Sequence, residues 1–108
     1  MNQPGSSKRI EAEGARPVPV ITPEKSAVLS AVRAVRGGDP DAFGRLVEIY
    51  QRRVFGLTLM MVRQPTGAEE VTQDAFVLAL KHLDRFDERR PFYPWLATIV
   101  VRLAQTWL

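Results

Sequence analysis

The stretch that decides the fold is AEEVTQDAFVLALKHLDRFDERRPFYPWL, residues 68–96 of a chain of 108. Its apolar side chains recur at helical spacing on both sides of a short charged break at residues 87–91. The stretch therefore predicts two helices joined by a loop that carries Arg89 and Arg90. The first helix has an acidic outer side, and the second opens with aromatic residues. This layout favours binding through two separate surfaces over catalysis.

Towards the N-terminus, two further helices are predicted from their end signals. Thr22-Pro23-Glu24 is a typical helix start, with a threonine cap, a proline in the first position and an acid in the first turn. Gly37-Gly38 is a typical helix end.

The second of these helices should run from Pro40 to about Arg63, because Pro65 disfavours a helical conformation in the residue before it. Thr66 with Glu69 three residues later predicts a capping box at the start of the third helix.

The apolar positions of the four predicted helices form one face on each. No useful length of sequence alternates with the period of a strand, so the predicted fold class is all-α, a small bundle of four helices over residues 23–108. Residues 1–22 are rich in proline, glycine and serine and poor in large apolar side chains, which predicts a disordered tail. The expected apolar faces are Ala27, Val28, Ala31, Val32 and Val35; Phe43, Leu46, Val47, Tyr50, Val54, Leu57 and Met61; Ala68, Val71, Thr72, Ala75, Phe76, Ala79 and Leu83; and Phe92, Leu96, Ile99, Val100, Leu103 and Trp107.

Composition excludes several classes of protein. There is no cysteine, so disulfides and cysteine-ligated metals are impossible, and a single histidine, His82, excludes a multi-histidine site. His82 is predicted to be structural. No apolar run approaches the roughly 18 residues that cross a membrane, and the first residues lack the charged start and apolar stretch that a secretory signal would show. The acids Asp84, Asp87 and Glu88 lie close together without a phosphate-binding loop, paired histidines or a serine elbow. We therefore predict no enzyme, no catalytic residue, no metal or cofactor and no small-molecule substrate, and we interpret Asp87 as a turn residue.

The acidic side of the third helix is the first candidate binding surface. At 100° per residue, Glu70, Gln73, Asp74 and Val77 share the side opposite the predicted core. Val77 is either an isolated exposed valine, which is common, or the apolar centre of a protein-docking patch with a polar rim.

The second candidate surface is the loop at residues 87–91 together with the start of the last helix, which we call the tip. Trp95 lies at the boundary of the apolar face, where it either caps the core or presents its ring to an unstacked base. Arg89 and Arg90 either contact phosphates or a flipped base, or are solvated loop residues. The net charge of +3 is too modest to decide for nucleic acid, but the segment 69–81 is acidic between basic neighbours.

Three blocks resemble region two of bacterial RNA polymerase sigma factors, closest to the extracytoplasmic-function family. They are GDPDAFGRLVEIYQRRVFGLTLMMV at 38–62, AEEVTQDAFVLALKHLDRF at 68–86 and FYPWLATI at 92–99. Their order and spacing make the resemblance specific. The resemblance implies a cytoplasmic transcription initiation factor domain that docks on core RNA polymerase and recognises and melts the minus-ten promoter element.

The resemblance also implies roles for particular residues. The residues implied to dock on the clamp helices of the polymerase β′ subunit are Glu70, Gln73, Asp74 and Val77. Capture of the non-template strand of promoter DNA, with a flipped base, falls to the loop and the start of the last helix. The implied DNA-binding residues are Arg89, Arg90, Phe92, Trp95, Thr98 and Arg102, with Phe92 more typical of the core.

The chain also departs from the family pattern. Val101 replaces the usual arginine and Arg102 the usual asparagine, which weakens the case for contacts to duplex promoter DNA. The family's second domain, which reads the minus-thirty-five element, is expected to be missing from these residues. The sequence is then either a fragment of a longer factor or a natural product with the first domain alone. The alternative hypothesis is therefore a truncated sigma-like decoy that binds polymerase or an anti-sigma factor without initiating transcription.

Overall fold

The four helices end close to where the sequence signals place them. The computed structural model describes residues 23–108, so the predicted disordered tail and the Thr22 cap lie outside the described residues. Within that range α1 spans Pro23–Arg36, α2 Phe43–Val62, α3 Pro65–Lys81 and α4 Phe92–Trp107, with short 3₁₀ turns at Pro40–Ala42 and Leu83–Arg85. The all-α prediction is confirmed.

The end of α1 follows the glycine signal. Gly38 has φ +107°, a left-handed conformation that only glycine adopts readily. The amide of Gly38 donates to the carbonyl of Val35 at 3.0 Å, and that of Asp39 to the carbonyl of Ala34 at 3.0 Å. These are the two hydrogen bonds of a Schellman motif, which satisfy carbonyls that the helix end would leave unpaired.

Two predicted helix starts are wrong in detail. Pro40 opens a 3₁₀ turn, and the α-helix begins only at Phe43. The capping box of Thr66 and Glu69 does not form: Gln64 is the N-cap and makes no side-chain cap hydrogen bond, while Pro65 occupies the first turn of α3. Pro65 both ends one helix and begins the next, because its missing amide is no loss in a first turn.

The core lies between α2, α3 and α4, with α1 packed on α2. Leu46, Val54, Leu96 and Val100 have no exposed surface, and Val32 brings α1 into the same cluster. This agrees with the predicted stripes, since residues three and four apart share one side of a helix.

Several predicted core positions are wrong or only partly right. Ala27 is exposed, and Thr72 is half-buried. The Thr72 hydroxyl lies 2.9 Å from that of Thr58, a fully buried threonine, and donates to the carbonyl of Ala68 at 2.7 Å. Trp107 keeps 41% of its surface exposed, because α4 has reached the end of the bundle there.

Candidate functional surfaces

The outer face of α3 carries the predicted docking residues together. Glu70, Gln73 and Asp74 are exposed, and Val77 keeps 55% of its surface accessible. Leu80 is also exposed and was missed by the sequence analysis. It lies 60° from Val77 at 100° per residue, so the helical spacing alone could have found it. We call these five residues the α3 face: an apolar pair with an acidic, polar rim.

Trp107 contributes an unexpected neighbour to the α3 face. Its indole Nε1 donates to Glu70 Oε1 at 3.4 Å. The ring itself lies against Gly67, where an added Cβ would come within 2.3 Å of a ring carbon. Gly67 is therefore small for a packing reason that helix propensity would not reveal.

The loop between α3 and α4 is organised around Asp87, as the prediction of a turn residue required. Its Oδ1 accepts the Arg89 backbone amide at 2.9 Å, and its two oxygens accept the Arg89 guanidinium at 3.0 Å each. Arg90 Nε lies 3.8 Å from Oδ2. The side-chain hydrogen bond from Arg89 is the main reason that the pKa of Asp87 falls from 3.8 to about 2.

The two loop arginines remain accessible to a ligand. Their side chains keep 90% and 80% of their surface exposed for Arg89 and Arg90 respectively. An exposed pair with Asp87 costs little to open in water. Both guanidinium groups therefore keep most of their surface open to solvent.

Trp95 is half-buried, with one part of its ring packed on the core and another part accessible. Its ring centroid is 5.5 Å from those of Phe86 and Phe92, at tilted angles. The remaining surface lines a groove of about 440 Å³ with Arg90, Pro94 and other residues of the tip. Trp95 is thus supported by the core while part of its ring faces an open groove.

Phe92 belongs to the core and is a correction to the list of implied DNA-binding residues. It is 5% exposed. Its ring stacks on Tyr50 at 5.4 Å and meets Phe86 edge-on at 5.0 Å. Phe92 cannot offer its ring to DNA while these contacts hold, so its part is to support Trp95.

Thr98 and Arg102 lie further along the exposed side of α4. The Thr98 hydroxyl donates to the carbonyl of Pro94 at 3.0 Å, so its remaining capacity is as an acceptor. Both residues line a second groove of about 500 Å³, which also receives His82 and Arg85. The sequence analysis did not name Arg85 as a candidate site residue. Its place directly before Phe86, just ahead of the loop, could have drawn attention to it.

A cation–aromatic stack extends the tip towards α2. The Arg53 guanidinium carbon lies 3.7 Å from the centroid of the Tyr93 ring, and that ring stacks on Tyr50 at 5.8 Å. Burial raises the pKa of the Tyr50 hydroxyl. The sequence analysis missed Arg53, because nothing in the spacing of α2 connects it with the start of α4.

Glu88 points away from the other loop residues and towards α1. Its Oε1 accepts Arg33 Nε at 2.9 Å, and its Oε2 accepts Arg36 Nη1 at 2.8 Å. The hydrogen bond from Arg33 is the main reason that the pKa of Glu88 is lowered, and the charge of Arg33 and the hydrogen bond and charge of Arg36 lower it further. Two members of the suspected carboxylate cluster, Asp87 and Glu88, therefore pair with different arginines.

Neither a metal nor a membrane is indicated by the part of the chain that the structure describes. Among residues 23–108, no three histidine, aspartate or glutamate side chains come together as a metal site. Over the same residues, no helix has the length and apolar character to cross a bilayer.

Residues 46–108 match the family model described as Sigma-70 region 2. The chain therefore belongs to the sigma-70 region 2 family, as its resemblance implied.

Two of the similar individual proteins are extracytoplasmic-function (ECF) sigma factors. The ECF RNA polymerase sigma factor SigW of Bacillus subtilis (strain 168) is 36% identical over 72 residues, which are 67% of this chain and 38% of that protein. The ECF RNA polymerase sigma-E factor of Escherichia coli (strain K12) is 40% identical over 78 residues, 71% of this chain and 40% of that protein. The chain thus spans less than half the length of these curated relatives.

A solved structure has the same fold. It is an NMR structure of an engineered region 2 of sigmaE in complex with GTAAAA, with a TM-score of 0.68 and 37% sequence identity. The match covers 72% of this chain and 81% of that one. At this level of identity both the family and the fold are shared.

Proposed function

We propose that this chain acts in the cytoplasm as the polymerase-docking and promoter-capturing domain of a transcription initiation factor, with no catalytic activity of its own. The observation that carries the proposal is the tip, where a half-buried tryptophan borders a groove that the exposed Arg90 also lines, with the exposed Arg89 next to it in the loop. The similar engineered region 2 of sigmaE forms a complex with the oligonucleotide GTAAAA, which supports a single-strand ligand for the same region here.

The α3 face is proposed to dock on the clamp helices of the β′ subunit of core RNA polymerase. Glu70 and Asp74 would face arginines of the partner, and Val77 with Leu80 would form the dry centre of the patch. Opposite charges across such an interface contribute mainly to orientation and association rate. The apolar centre, rimmed by polar groups, contributes to the lifetime of the complex.

The tip is proposed to capture the non-template strand of the minus-ten element. Stacking of a base on an aromatic ring contributes about 1–3 kcal/mol, which can offset the few kcal/mol needed to flip a base out of the stack. Trp95 supplies the ring, and Arg89 and Arg90 supply cations for phosphates. Arg102 extends the basic track along α4, while Thr98 offers a hydroxyl acceptor. Melting follows because the captured base can no longer pair.

A decoy function remains the second candidate, with an anti-sigma factor as an additional partner. It is favoured by Val101, which stands where the family usually carries arginine and is half-buried on α4. Such a chain would keep the α3 face and its protein partners while binding promoter DNA poorly. It would titrate polymerase or the anti-sigma factor without starting transcription.

The deciding experiment measures binding of the 108-residue chain to purified core RNA polymerase, with and without a fluorescent single strand of minus-ten sequence. Polymerase binding with capture that prefers the minus-ten strand over a scrambled strand supports the initiation role. Polymerase binding without capture supports the decoy. Absence of polymerase binding refutes the initiation role and the polymerase-binding form of the decoy, and leaves only titration of an anti-sigma factor.

A further inference from the structure

We propose that Arg36, at the end of α1, is a positioning residue for strand capture that holds residues 83–91 in the shape that presents Arg89, Arg90 and Trp95. The inference rests on the proposed function of that tip. It adds a part for α1, which itself carries none of the residues assigned to DNA.

Three contacts of one guanidinium carry the proposal. Arg36 Nη1 donates to Glu88 Oε2 at 2.8 Å, and Nη2 donates to the carbonyl of Leu83 at 2.7 Å. Nη2 also donates to the carbonyl of Phe86. The side chain of Arg36 is only 26% exposed. A single planar cation therefore ties together the start of the 3₁₀ turn, its end and the loop beyond it.

The geometry needs an arginine in particular. A guanidinium presents its donors in a rigid, planar fork, whereas the ammonium of a lysine is a compact point charge on a flexible stem. The two carbonyls and the carboxylate come from residues 83, 86 and 88, which lie on different sides of the turn. Lysine at position 36 would keep the charge but lose part of this set.

Arg33 is a natural internal comparison. Within the described residues its guanidinium donates one hydrogen bond, from Nε to Glu88 Oε1 at 2.9 Å, and its side chain is 67% exposed. It touches neither backbone carbonyl. Arg33 thus adds charge compensation for Glu88, while Arg36 fixes the course of the backbone.

We call the three hydrogen bonds of Arg36 the Arg36 clamp, or the clamp for short, as distinct from the clamp helices of polymerase. The Arg36 clamp reaches the groups proposed to bind DNA through Phe86. The Arg36 guanidinium carbon lies 6.0 Å from the centroid of the Phe86 ring, and that ring supports Trp95 at 5.5 Å. Phe86 is 4% exposed, so a shift of its backbone must move its neighbours. Pairing Glu88 with α1 also neutralises an acid that would otherwise repel phosphates at the tip.

The test compares Arg36→Lys with Arg45→Lys, a matched change at an exposed arginine of α2. Amide hydrogen exchange in the free chain reports on residues 86–90, where the Arg90 amide donates to the Asp87 carbonyl at 2.9 Å. A second measurement, strand capture on core polymerase, uses a fluorescent minus-ten strand. Arg36→Lys should speed exchange and weaken capture by about tenfold each, as expected for lost charge-assisted hydrogen bonds. Polymerase affinity and the helical circular dichroism should stay at wild-type values, and Arg45→Lys should change nothing.

Two further arms keep the proposal open to refutation. Glu88→Gln removes the charge of the loop carboxylate that Arg36 contacts and should also speed amide exchange and weaken strand capture. This variant provides the test if Arg36→Lys fails to fold. Capture unchanged in both variants overturns the positioning role, and exchange unchanged in both overturns the clamp itself. A wild-type chain that captures no strand refutes the proposed function and with it the link to capture, so this failure is distinguishable from that of the clamp.

Discussion

The α3 face and the tip are built in opposite ways. The α3 face is one side of a regular helix, and Glu70, Gln73, Asp74 and Val77 need only the helical repeat to come together. The tip joins an irregular loop to the start of α4, and its shape depends on Arg36, which is 52 residues from Glu88 in the sequence. Substitutions on the α3 face should therefore act locally, whereas the tip should respond to changes outside itself.

The largest effect should come from removing the support that both surfaces share. Leu96 has no exposed surface, and its replacement by alanine should lower the free energy of unfolding by about 2–5 kcal/mol. Both polymerase docking and strand capture should then fall together. Leu80→Ala, at an exposed leucine, should change the free energy of unfolding by no more than about 0.5 kcal/mol. Urea unfolding followed by circular dichroism measures both values, and equal values would contradict the assigned core.

Charge reversal on the α3 face should separate the two surfaces. Asp74→Arg places like charges opposite each other in the proposed complex, which costs several kcal/mol. Polymerase affinity should then fall by about a hundredfold, because each 1.4 kcal/mol is tenfold. Binding of the free chain to a minus-ten strand should not weaken. Glu48→Arg, at an exposed acid of α2, is the matched control. Retained polymerase binding in Asp74→Arg would show that this face is wrongly assigned.

Loss of the tryptophan ring should damage the tip alone. Trp95→Ala should weaken strand capture by about 1–3 kcal/mol, the contribution of one stacked base. Trp95→Phe retains an aromatic face and should recover part of that loss. Polymerase affinity should stay unchanged in both, as measured by competition with the wild-type chain. Because the ring also contacts Phe86 and Phe92, a thermal melt must accompany the binding data. Unfolding of Trp95→Ala at working temperature would make Trp95 a core residue only.

The smallest effect, and the most local one, should come from acid. The pKa of Asp87 is about 2 in the folded chain and 3.8 ordinarily, so its carboxylate stabilises the loop at pH values above about 4. This stabilisation should disappear as the pH falls from about 4 to about 2, the interval between the two values. Carboxyl carbon NMR should show Asp87 titrating near pH 2, and Arg89→Ala should move its pKa upwards. An unchanged pKa in Arg89→Ala would refute the pairing.

The helical bundle was predictable because its signals are local. Apolar residues three and four apart, a glycine pair after Arg36 and prolines in first turns each act within one or two turns of helix. The errors were also local. The predicted capping box at Thr66 does not form because α3 begins at Pro65, and Ala27 is exposed at the beginning of α1. Neither error affects which helices pack together.

The candidate sites were only half predictable for a different reason. The placement of Glu70 to Val77 on one exposed side follows from periodicity, and the resemblance to sigma factors directed attention to the loop. The contacts of Glu88, the stack of Arg53 on Tyr93 and the seating of Trp107 on Gly67 were not visible in the sequence. Each joins residues from segments that are distant in the sequence, and no spacing rule relates them.

By itself, the sequence determined the fold class, the polar side of α3 and the family, because helical periodicity and motif order are properties of neighbouring residues. Only the tertiary structure decided that Trp95 is shared between core and groove and that the loop is held from α1. These outcomes depend on how close-packed side chains from separate segments meet, and packing of that kind is set by the whole bundle.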